Sequence, residues 1–165
     1  MRFHEALEHV QDSDVYKEFM RGSGGYYLAH GFCTVEKSGR APWQVGYYSQ
    51  DTSKIVAFTA DDQVSKHDED EAFRESGHVP PLEVDEVEVS LDDALATAER
   101  VRRDKYPKEL VNKTIVILQT LEDVPTWNLT LVTQAFSLIN VRIHASSGEV
   151  RSQSIDSVLN LGERT

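Results

Sequence analysis

Trp127-Asn128-Leu129-Thr130-Leu131-Val132-Thr133-Gln134 is the stretch whose reading decides the fold. Trp127, Leu129 and Leu131 alternate with Asn128 and Thr130, so an extended chain here has one apolar and one polar face. Residues 139–145 alternate the same way, with Ile139, Val141 and Ile143 set against Asn140, Arg142 and His144. Two adjacent runs of period two predict an antiparallel sheet covered on one side. The Ile/Val-rich residues 114–120 read as a strand before them. Ser146-Ser147-Gly148-Glu149 reads as a turn into a short fourth strand at 150–155. Upstream, Ser90 with Asp93 forms a loose capping box. Leu91, Ala94, Leu95, Ala98 and Val101 then follow at helical spacing. Arg100, Arg102, Arg103 and Lys105 suit the helix C-terminus, and Pro107 stops it.

The N-terminal half has the same order. Phe3, Ala6, Leu7 and Val10 begin a helical stripe, and Val15, Phe19 and Met20 continue it beyond a break at Asp12-Ser13-Asp14. Gly22-Ser23-Gly24-Gly25 ends it, and strands are expected at 26–36, 43–49 and 55–60. Pro42-Trp43 opens a strand as Trp127 does after Pro125, an offset of 84, and both strands end in a hydroxyl residue followed by Gln. With one residue inserted, Val56, Phe58 and Ala60 fall beside Val141, Ile143 and Ala145. This order predicts an α+β chain of two tandem units, each a helix with a three- or four-stranded antiparallel sheet.

Charge places the boundary between them. The 165-residue chain has 17 Lys+Arg against 28 Asp+Glu, a formal net charge of −11. Residues 61–88 hold eleven acids and only two cations, Lys66 and Arg74, a net −9; the other 137 residues share −2. Clustered like charge resists burial. The expected organisation is therefore an N-terminal unit at 1–64, an acidic linker at 65–88 and a C-terminal unit at 89–165. Leu82, Val84, Val87 and Val89 are expected to form a short strand or an anchoring contact at the linker's end. Excess acid disfavours nucleic acid as partner, because such binding neutralises phosphates with Lys and Arg. No apolar run reaches the roughly 18 residues of a membrane span, and residues 1–5 lack a signal-peptide pattern. One cysteine, Cys33, allows no intrachain disulfide. The expectation is a cytoplasmic protein without membrane contact.

The C-terminal half resembles a PepSY domain. The cues are the Ala-rich helix Leu91-Asp92-Asp93-Ala94-Leu95-Ala96-Thr97-Ala98, Tyr106-Pro107 at its end, the Trp127 strand and Gly148-Glu149-Val150 in the final hairpin. Ala145 stands where the family usually has Asp. Residues 61–64, Asp61-Asp62-Gln63-Val64, sit at the matching hairpin of the N-terminal half. The resemblance implies a cystatin-like helix-and-sheet fold and a role in regulating peptidases or binding proteins. It carries no catalytic residues.

The residues themselves point the same way. His30 and Cys33 are three apart, which puts them on opposite faces of a strand, so they make no nucleophile–base pair. Among His4, His9, His30, His67, His78 and His144, no pair has the i, i+4 ligand spacing of a helical zinc site. His67 with Asp68, Asp70 and Glu71 lacks the pattern of a calcium loop. The 22–25 glycines follow a helix instead of preceding one, so they are not a phosphate loop. No cofactor, metal or catalytic set is expected, and the chain reads as a non-enzyme.

Seven of the chain's 14 aromatic residues fall in the N-terminal strands. Tyr47 and Tyr48 are neighbours and so face opposite sides of a sheet. Tyr48 is therefore expected on an outer face with Tyr26 or Phe32. An outer aromatic patch needs a cover. Tyr26, Phe32, Trp43, Tyr48 and Trp127 are the expected interaction surface, for a protein partner or a second copy. The alternative is a small-molecule binder or enzyme using the concave face of a cystatin-like sheet.

Overall fold

The computed structural model describes residues 1–69 and 79–158. Three α-helices are formed: α1 (Phe3–Asp12), α2 (Asp14–Gly22) and α3 (Leu91–Lys105). The strands are β1 (Tyr26–Glu36), β2 (Gly39–Arg40), β3 (Gln44–Ser49), β4 (Lys54–Ala60) and β5 (Val64–Glu69), then β6 (Val111–Leu121), β7 (Val124–Thr133), β8 (Ser137–His144) and β9 (Val150–Ser157). The fold is α+β, as the alternation implied. All nine strands form one antiparallel sheet in the order β5-β4-β3-β1-β6-β7-β8-β9, with β2 paired to β1. The seam between the halves is β1 against β6, running from His30 opposite Gln119 to Glu36 opposite Lys113.

The helices start and stop where their side chains dictate. Ser90 Oγ accepts the Asp93 N–H at 3.1 Å and caps α3. Ser13 separates α1 from α2: its Oγ accepts the Tyr16 N–H at 3.3 Å while its own N–H bonds the Val10 carbonyl. All three helices lie on one side of the sheet. Phe3, Ala6, Leu7 and Val10 of α1 pack toward β3 and β4, and Leu91, Ala94 and Ala98 of α3 toward β7 and β8. A single buried core runs beneath both, joining Val45 and Phe58 to Leu129, Val141 and Ile143.

The acidic stretch is more structured at its start than a solvated linker. After a turn at 61–63 the chain continues as β5, paired to β4 from Ala60–Val64 to Ile55–Glu69. An edge strand tolerates charge. Here Val64 packs on the core, and the Lys66 ammonium stands 5.2 Å from the centre of the Phe19 ring while pairing with Asp68 at 2.9 Å. Asp70, Glu71 and His78 lie outside the described residues. Where the description resumes, the chain makes the anchoring contact and not a short strand, with a single 3-10 turn at Val84–Glu86. Leu82 and Val87 are buried, the Leu82 N–H bonds the Leu28 carbonyl, and the N–H groups of Glu88 and Val89 both bond the Ala145 carbonyl.

Candidate functional site

The five aromatics do not form one exposed surface, although Tyr48 and Phe32 do share the side of the sheet away from the helices. Trp43, Tyr48 and Trp127 are buried. Trp43 and Trp127 lie under the helices with ring centres 6.0 Å apart, and Phe3 packs edge-on against Trp43 at 5.2 Å. Each indole N–H donates to a carbonyl two residues before a helix: Trp43 to Met1 at 3.2 Å and Trp127 to Val89 at 2.9 Å. A buried indole needs such an acceptor, and these tryptophans hold helix starts instead of meeting a partner. Tyr48 lies on the opposite side, covered by Tyr27, Ala29, Ile55 and Val79.

Tyr26 and Phe32 are half-buried on different faces. The cause is a β-bulge between Leu28 and His30, where β1 shifts register against β3. One extra residue reverses the side-chain phase. Tyr26 therefore turns to the helix side, 5.0 Å from Phe19, while Phe32 turns to the other. Strict alternation along 26–36 hides that reversal.

The face opposite the helices is the candidate site. At the seam it presents Phe32 across from Ile117, and Thr34 across from Ile115. All four are half-buried. Gln44 flanks Phe32 on β3, and Asn128 and Thr130 flank Ile117 and Ile115 on β7. The Asn140 amide on β8 donates to Asn128 Oδ1 at 2.7 Å and Thr130 Oγ1 at 3.3 Å, which fixes the polar border. The result is a short apolar stripe bordered by the neutral hydrogen-bonding side chains of Gln44, Asn128 and Thr130, suited to contact. Its composition is legible in the sequence. Its position depends on β1 meeting β6, which no local pattern announces.

His30 belongs to this face, its ring laid over Gly46. Burial lowers its pKa from 6.5 to about 4. A group whose folded pKa is depressed binds protons more readily when unfolded, so its contribution falls as pH drops from about 6.5 toward 4. At about 1.4 kcal/mol per pKa unit, up to about 3 kcal/mol is lost across that window. His30→Gln is expected to flatten that part of the pH dependence, read as urea midpoints at neutral and acid pH against the parent chain. An unchanged slope would refute the assignment.

Cys33 lies on the helix side, as the spacing from His30 implied. Burial pushes its thiol up to about 12, a poor nucleophile at neutral pH. His4 and His9 engage the carbonyls of Val84 and Asp61, and His67 engages Thr59 and Ser65. Among the described residues no three His, Cys, Asp or Glu side chains gather as metal ligands. A cleft of about 590 Å³ opens between the first turns of α1 and α3, lined by Phe3, Leu91, Leu95, Trp127, Arg40 and Asp92.

Fold and site together define an α+β protein with helices on one face of a wide antiparallel sheet and a mixed apolar and polar surface on the other. No family model and no curated protein matches the chain. Among solved structures it is similar to a "putative lipoprotein" of Clostridium difficile 630, at 10% identity and a TM-score of 0.53, over 87% of this chain and 91% of that one. At that identity the likeness is one of fold. Among the described residues no helix is long and apolar enough to cross a membrane.

Proposed function

We propose that the chain is a non-enzymatic binding module made of two PepSY-like units, and that its helix-free sheet face contacts a protein partner, with peptidase regulation as the role the resemblance implies. The observation that carries the reading is the Phe32–Ile117 stripe, apolar side chains left at the surface on the rigid middle strands of the sheet. Broad surfaces with an apolar centre and a neutral polar border suit protein contacts. Support for two units comes from strand order: β1-β3-β4-β5 and β6-β7-β8-β9 are both meanders following helices, and they meet through their first strands. The two tryptophan–carbonyl bonds before α1 and α3 add to it.

Ile117→Asp tests the surface. The expected result is a folded chain, with unchanged far-UV circular dichroism, that loses a partner which photo-crosslinkers at Phe32 and Ile115 both capture from the source cell. Crosslinking that follows exposed α3 positions instead would move the surface to the helix side. The small-molecule alternative draws on the cleft between α1 and α3. Leu95→Trp would fill it, and a metabolite-induced thermal shift that survives this change would eliminate the cleft as its site.

A further inference from the structure

The two edges of the sheet differ in chemistry. The β5 edge shows Ser65, Lys66, His67 and Asp68, all exposed, with Lys66 and Asp68 ion-paired. Charged edges resist further strand pairing. The β9 edge, Val-Arg-Ser-Gln-Ser-Ile-Asp-Ser, has no proline and no lysine, and its one cation and one anion cancel. Because the Val158 N–H bonds the Phe136 carbonyl, the ladder phase turns the main-chain groups of Gln153 and Ile155 outward. Among the described residues no strand pairs with that side.

Exposed apolar side chains gather on the same margin. Of the six large hydrophobic residues exposed among the described residues, three lie on or directly after β9, Val150 (41%), Ile155 (38%) and Val158 (41%), and two more, Phe136 (64%) and Leu110 (57%), lie at the sheet end beside it. Backbone bonds tie Val158 to Phe136 and Gln134 to Leu110, so the last three share one corner. Phe136 is held at φ +62°, a costly conformation for an aromatic residue.

We propose that β9 pairs antiparallel with β9 of a second copy of this chain, making one sheet across a two-fold axis. A register centred on Ile155 sets Ile155 against its own copy and Ser154 against Asp156, with no like charges opposed. The charge distribution favours a second copy over an oppositely charged partner. The β9 edge is neutral, and the acidic residues 61–69 lie at the other end of the sheet. Seven strand spacings of about 4.8 Å separate the edges by about 34 Å, several times the Debye length of about 8 Å at physiological salt. In a two-fold pair the acidic ends point outward, where their repulsion is screened.

The test is the mass of the full chain by light scattering and sedimentation equilibrium up to about 100 μM, a range in which micromolar interfaces are populated. The expected result is a species of twice 18.6 kDa. Ile155→Lys, which alters an exposed side chain and spares the core, is expected to weaken association at least tenfold, and Gln153→Pro to do the same by removing an outward N–H. Lys66→Ala on the opposite edge should leave the mass unchanged. A full-length monomer at the highest concentration overturns the proposal. So does a dimer indifferent to both β9 substitutions. A chain ending at Val158 that dimerises where the full chain does not also overturns it, and assigns the edge to residues 159–165.

Discussion

Trp127→Ala is expected to remove about 3–5 kcal/mol of unfolding free energy, the range for deleting a large buried aromatic. Against a total of about 5–15 kcal/mol for an ordinary domain, that is a large share. The effect has two parts. Trp127 sits on the core side of β7, opposite Leu118 on β6 and Ile143 on β8, and all three are buried. Truncation leaves a void that flanking strands cannot close. The Val89 carbonyl also loses the 2.9 Å indole bond at the entry to α3. Trp127→Phe separates the parts, since it keeps most of the ring and discards the bond, with an expected cost of about 1–3 kcal/mol. The ring of Trp43 is 6.0 Å away, so the two tryptophans report on one another. A cycle through Trp43→Phe, Trp127→Phe and the double variant should give a coupling of about 0.5–3 kcal/mol. Urea unfolding followed by circular dichroism, with m unchanged, measures each corner. A loss below about 1 kcal/mol for Trp127→Ala would contradict the packing described.

Strands β6, β7 and β8 were legible because each has one buried face. Ile139, Val141 and Ile143 are buried and their neighbours Asn140 and His144 are half-exposed, as the alternation requires. Helix ends were legible because Ser90 and Pro107 act on the backbone directly. The aromatic surface was misread for a tertiary reason. A tryptophan at a strand start looks the same in sequence whether it faces a partner or lies beneath a helix, and both face helices here. The bulge at Ala29 leaves no mark in composition, yet it sends Tyr26 and Phe32 to opposite faces. Strand β5 was hidden by its charges, because an edge strand needs only one apolar anchor, Val64. Pairing register also sharpens the proposed repeat. The Ala60 N–H bonds the Trp43 carbonyl, whereas the Ala145 N–H bonds that of Pro125 and Trp127 lies opposite Ile143. The tryptophan match and the alanine match therefore differ by two residues. Such a slip preserves faces, because side chains repeat every second residue, so an alignment by alternation cannot detect it.

Gly31→Val is expected to destabilise the chain by about 3 kcal/mol or more, although strand propensity alone would favour valine at this position of β1. A Cβ on Gly31 would lie 2.3 Å from Phe3 Cε1 and 2.8 Å from Cδ1, closer than real Cβ contacts approach. The ring cannot simply swing aside. Phe3 is buried, opens α1 and rests on Trp43, whose indole in turn bonds the Met1 carbonyl. Any methyl group here must lift the first turn of α1 or spread β1 from its helix, and overpacking of this kind costs about 1–3 kcal/mol or more. Gly46 offers the contrast. Its added Cβ would lie 2.1 Å from His30 Cε1, but that ring stands on the helix-free face, where no helix pins it. Gly46→Ala should therefore cost less than Gly31→Ala. The decisive measurement places Gly31→Val in a Phe3→Ala background. Phe3→Ala alone should cost about 3–5 kcal/mol; with the ring gone, the valine has space, and its further cost should fall by at least 1 kcal/mol. Equal penalties in both backgrounds would mean that Phe3 does not press on Gly31, and the seating of α1 on β1 would have to be redrawn.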